Sequence, residues 1–203
     1  MTPRHRKNLT AGSHAARADV SGLLETGTMA VDPDLYFDLS MDELREVTRF
    51  ALAPAEQATG LLGAKVDPRI QAALEAARLF AAGQRRSKLQ RTTALDAHRA
   101  AREATDDVAR HAAAAAGDAA GSAYLHPFAK ADQVGHILRS TAHAALAVQA
   151  ARGEAAAQDL LDNAVSRATP ALRAVLRRYP PFPPGRDPVT QITSDLDTAL
   201  RGA

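Results

Sequence analysis

The sequence predicts an all-α protein: an alanine-rich multi-helix bundle, or an armadillo-like stack, of about seven to eight helices. Three observations lead there. First, 46% of the residues are hydrophobic but only 4% are aromatic, and there is no Trp. Alanine makes up the difference; it is the strongest helix former, and its small side chain lets helix axes approach closely. Second, apolar residues recur three and four apart in segment after segment, and no stretch alternates with the period of a strand. Third, helix-start signals punctuate that pattern: Ser40, Asp67-Pro68, Thr105-Asp106-Asp107, Thr169-Pro170 and Asp187-Pro188. A core built this way spreads its dispersion over many small contacts instead of a few aromatic anchors. The 203 residues suffice for one good core. Residues 1–34 read as an N-terminal arm and 35–203 as the helical domain.

The arm mixes basic, small and turn-forming residues, and Gly12, Gly22 and Gly27 interrupt any helix longer than one over His14–Leu24. Asp32-Pro33-Asp34 is a turn into the domain. Ser40-Met41-Asp42-Glu43 is a capping box that opens the first helix, whose Leu44, Val47, Thr48, Ala51 and Leu52 share a face. Pro54 is expected to bend or end this helix, or to sit in a short second piece reaching about Leu62.

Asp67 caps the second helix, Pro68 takes its first position, and Gly83 stops it in a left-handed conformation. The basic connection Gln84–Lys88 leads to a third helix over Ser87–Thr105. A fourth covers Asp107–Leu125, with Gly117 and Gly121 on one face where a neighbouring helix approaches. A fifth runs from about Pro127 to Arg152 and a sixth from Glu154 to Arg167, with Gly153 between them. The seventh begins after Thr169 and ends at Arg177-Arg178. Tyr179–Gly185 is too proline-rich for a helix and lies extended, its aromatics packed on the domain. In the last helix Val189, Ile192, Leu196 and Leu200 form an apolar stripe.

Composition removes several function classes. With no cysteine there is no disulfide, no thiolate metal site and no Cys nucleophile. The 25 basic and 23 acidic residues nearly balance, so the net charge is +2, which argues against a nucleic-acid binder. No apolar run approaches the ~20 residues of a membrane span. The basic N-terminus lacks the apolar stretch of a signal peptide, so a cytoplasmic protein is expected. Neither a Gly-x-Ser-x-Gly elbow, nor a phosphate-binding glycine loop, nor HExxH is present.

Five of the seven histidines (His98, His111, His126, His136 and His143) fall between Ser87 and Gly153. On the fifth helix Asp132, His136, Arg139 and His143 share a face at steps of four, three and four. His136 and His143 stand two turns, or ~10 Å, apart and do not chelate one ion by themselves. A metal would need a donor from another helix, such as His98, His126 or Asp118; otherwise the stripe is helix-surface pairing or buried histidines bonded to a neighbour. Arg85, Arg86, Lys88 and Arg91 form the strongest positive patch, a solvated loop or a surface for an acidic partner. His98 and Arg102 lie one turn apart on the third helix. These residues (His98, Arg102, His126, Asp132, His136, Arg139, His143, Arg85, Arg86 and Arg91) are the candidate cleft or partner-binding set, with no catalytic residue, metal ligand or cofactor assigned.

The segments LSMDELREVTRFA, DPRIQAALEAARLFAAG, ALDAHRAAREA, AAGDAAGSAYLHP and VGHILRSTAHAA, taken in that order, resemble the Imm-5-like family of bacterial immunity proteins. The resemblance spans about Leu39–Leu200, and its individually matched residues are Asp67-Pro68-Arg69, Ala97-His98, Ala101-Arg102 and His126. It implies an all-helical cytoplasmic protein that binds and neutralises a cognate protein toxin of a bacterial competition system. It implies no cofactor, no membrane and no nucleic acid, and it leaves open a homo-oligomer. The exonuclease-subunit label sometimes attached to such proteins has no counterpart here, for want of a Walker motif or carboxylate set. The alternative is a small-molecule enzyme or metal-binding helical protein with a histidine-lined cleft where His98, His126 and His136 meet.

Overall fold

The structure, a computed structural model, describes residues 35–202; the expected arm and its short helix fall outside them. The described residues form eight α-helices: α1 (Met41–Gly60), α2 (Pro68–Ala81), α3 (Lys88–Glu103), α4 (Asp107–Gly121), α5 (Val134–Arg152), α6 (Glu154–Arg167), α7 (Pro170–Arg177) and α8 (Pro188–Gly202). Among them strand pairing is limited to a single antiparallel bridge between Tyr36 and Phe128.

The starts follow from local chemistry. Ser40 Oγ accepts from the Glu43 N–H while the Glu43 carboxylate accepts from the Ser40 N–H, closing the expected capping box. Glu43 also pairs with Arg178 at the end of α7, and the two contacts hold its carboxyl down at about 2. Asp67 caps α2, Asp106 caps α4 and Thr169 caps α7. Ser87 closes a second capping box with Gln90, which the sequence analysis did not single out.

Two elements depart from expectation. α1 runs unbroken through Pro54, which is buried inside it. Packing of the helix against α2, α4 and α5 outweighs the one hydrogen bond that proline removes. α5 starts at Val134, seven residues later than the proline at 127 suggests. The chain at 127–129 is instead held extended: Phe37 N–H donates to Pro127 O, and Ala129 N–H donates to Leu35 O. Those bonds belong to residues far away in sequence, so no local signal announces them.

α4 and α5 are the inner helices; α4 packs on α1, α2, α3 and α5, and α5 on α1, α4, α6 and α8. The core has two parts. One is lined largely by alanines from α1 to α6, among them Ala51, Ala97, Ala116 and Ala147. The other gathers Phe50, Phe80, Leu125, Ile137, Leu176 and Tyr179. The expected reliance on methyl contacts therefore holds for half the core only. Tyr179 is 2% exposed and donates to His126 O at 2.8 Å, so the proline-rich segment begins with an aromatic anchor. Ser140 Oγ lies 2.7 Å from Ala51 O and 2.9 Å from Ala115 O, joining α5 to α1 and α4.

Candidate functional site

Three helices bring three histidines together near one carboxylate. Asp118, on α4, is the centre. His98 Nε2, from α3, stands 3.4 Å from Asp118 Oδ1, and His143 Nε2, from α5, stands 3.8 Å from Oδ2. His143 turns its other nitrogen to α4, where its Nδ1 and His111 Nδ1 are 3.0 Å apart. One of those two nitrogens carries the proton and the other accepts it.

Close approach of α3 to α4 makes this possible. Ala94 and His98, four apart on α3, face Gly121 and Gly117, four apart on α4. The expected close approach at the two glycines is therefore real at Gly117, but an imidazole ring takes the space, not a helix backbone. His111 and Asp118 are seven residues apart, two turns along one face of α4, so each reaches toward His143.

Burial favours the neutral form of His111, His136 and His143. Burial pushes His143 down to about 4, against the Asp118 charge, which raises it. Burial likewise lowers His111, with help from Arg110. His136 is lowered by burial and then by Arg139, while Asp118 opposes both. Near pH 7 the contact between His143 and Asp118 is thus neutral base against carboxylate and not an ion pair. Asp118 Oδ2 is buried and accepts no hydrogen bond. Among the described residues no group of three His, Cys, Asp or Glu side chains is arranged to hold a metal ion.

The structure sorts the sequence-derived candidates into three groups. His98 and His143 join at Asp118, with His136 and Arg139 nearby on α5; the Arg139 guanidinium folds back over Gly135. Asp132 precedes α5 in a short 3-10 turn, bonded to Gln133, and His126 is exposed where the chain leaves α4. The histidines that meet across α3, α4 and α5 are His98, His143 and His111, with Asp118, while His126 acts on His136 through its charge. The backbone of His126 is bonded to Gln133 and Tyr179.

Arg91 and Arg102 are exposed on α3, and Arg85 and Arg86 are exposed on the connection that precedes it. The guanidiniums of Arg86 and Arg91 lie over the Tyr124 ring at 5.2 and 5.4 Å, and Arg86 also donates to Ala123 O. Sequence reasoning gave His111 no role. The signal it left was the seven-residue spacing to Asp118.

The family model described as Imm-5 like putative immunity protein matches residues 38–171, about two thirds of the chain. The chain belongs to this family. No match was found among curated proteins, and none among solved structures.

Proposed function

We propose that the chain is an immunity protein that acts by binding: it occupies a cognate protein toxin of a bacterial competition system and so neutralises it. Membership of the immunity family over residues 38–171 is the observation that carries this reading. The physical requirements are modest. Inhibition by occupancy needs a rigid surface, a few anchors and complementary charge, and no reacting groups. Close-packed alanine helices supply the rigidity, since α4 meets α3 and α5 largely through alanines, which have no rotamers to lose. No helix of the described residues is long and apolar enough to cross a membrane.

The test is co-expression with a candidate toxin: the toxic domain of a secreted protein, where one is found encoded beside this gene. Growth restored by the chain, and co-elution of the pair at one to one, is the expected result. Continued growth arrest in cells that hold the folded chain in excess would overturn it.

A second reading, a histidine-lined site for a metal or small molecule, draws on the buried and unpaired Asp118 Oδ2. Calorimetric titration of the full chain with Zn²⁺ separates the two. Stoichiometric binding lost in His143→Ala would favour the second; no heat of binding would leave the first alone.

A further inference from the structure

We propose that the outward face of α3 is the docking surface of this chain, and that it receives a protein surface with carboxylates around an apolar hollow. This rests on the reading above and adds to it the face and the partner's chemistry. α3 turns Gln90, Thr93, Ala94, Ala97, Ala100 and Ala101 inward, against its neighbours. Helical spacing then places Lys88, Arg91, Leu95, Arg99 and Arg102 in one outward stripe, at steps of three, four, four and three.

Leu95 sits at the middle of the stripe. At 55% exposure it is the most exposed large apolar side chain among the described residues. The charges around it are mostly uncompensated. Arg99 pairs with Asp96 at 2.6 Å, and Glu103, the other acid on α3, is taken by Arg69 from α2 at 2.7 Å. Among the described residues no carboxylate lies within ion-pair distance of Lys88, Arg91 or Arg102, nor of Arg85 and Arg86 just before the helix. Arg91 and Arg99 flank Leu95 one turn away on either side, and Lys88 and Arg102 stand two turns away. Arg86 and Arg91 are already ordered against Tyr124, so part of the entropy of fixing them is lost before any partner arrives.

This combination selects among occupants. A nucleic acid would use the cations, but Leu95 finds nothing apolar on a phosphate backbone, and two guanidiniums already occupy the Tyr124 ring that bases would stack on. A second copy of this chain in a two-fold contact would set arginine against arginine. An acidic protein surface with a hollow for the leucine satisfies both the rim and the centre: the charges steer encounter, and burial of Leu95 holds the complex.

The experiment measures binding kinetics of the full chain with the toxic domain named above. Arg91→Glu with Arg102→Glu is expected to slow association at least tenfold at low salt and to flatten its salt dependence. Leu95→Asp is expected to speed dissociation at least tenfold. Asp162→Lys, in the groove between α6 and α8, is expected to stay within twofold of the parent. All four positions are on the outside, and circular dichroism checks that each variant is folded. If the α3 variants bind like the parent, the face is wrong while the immunity reading stands. If the parent chain does not bind the toxic domain, both fall. Binding of a 20-base-pair DNA or RNA duplex that the double reversal abolishes would overturn the choice of a protein occupant.

Discussion

The imidazole of His98 occupies the space that a side chain at residue 117 would fill. A methyl group on Gly117 would stand 2.9 Å from both Cε1 and Nε2 of His98. Glycine in α4 thus does not serve flexibility; it is a socket for a ring carried by α3, and it sets that ring beside Asp118.

Gly117→Ala pits two effects against each other. Alanine in a helix interior is favoured over glycine by about 1 kcal/mol. Overpacking typically costs about 1–3 kcal/mol where neighbours cannot yield. The His98 side chain is 34% exposed and the clash is with the tip of its ring, so it yields by swinging outward. The expected outcome is a melting temperature equal to or slightly above the parent's, with the His98-to-Asp118 proximity lost from NMR distance restraints. A strongly destabilised variant would show that His98 is locked in place.

Stability should fall in mild acid because of the buried histidines. His143 titrates near 4 in the folded chain and near 6.5 when unfolded, so the unfolded state binds more protons between those values. Its contribution is complete above pH ~6.5 and is lost at ~1.4 kcal/mol per pH unit down to about 4. His111 and His136 are shifted the same way and steepen the loss. Urea denaturation at pH 7 and pH 5 checks this: the parent loses more between the two than His143→Gln does. Equal losses would contradict the burial argument.

Asp118→Asn removes the one charge that raises His143. The His143 midpoint should therefore move further below 4, and that of His136 should fall too, since Asp118 also raises it. Histidine ring resonances followed through an acid titration report both. A rise in either midpoint would mean that the carboxylate does not face them.

Ser140 ties three helices with one proton. Its hydroxyl can donate to only one of Ala51 O and Ala115 O at a time, and both carbonyls belong to helices. Ser140→Ala should cost about 1 kcal/mol in denaturant unfolding, the net value of one such bond. Ser140→Val, which crowds α1 and α4, should cost about 1–3 kcal/mol. A valine variant as stable as the alanine one would show slack at this junction.

Much of the helix inventory was legible because its causes are local. Ser40, Asp67, Asp106 and Thr169 announce starts through their own side chains, and Gly153 separates α5 from α6 with a φ of 91° that other residues avoid. The start of α5 was not legible, since the residues at 127–129 are held by partners some ninety positions upstream. The same holds for the site. Periodicity placed His136, Arg139 and His143 on one face but gave no sign of what that face meets.

The sequence alone thus determined the all-α class and most helix limits, because each follows from spacing and capping within one helix. Only the tertiary structure decided that His98, Asp118, His143 and His111 converge. The reason lies in alanine itself. One methyl surface fits another almost equally well at several registers, so the alanine pattern says little about which faces pair. Register is set by the distant larger side chains, Phe80 and Tyr179 among them, and by the ring of His98 seated on Gly117.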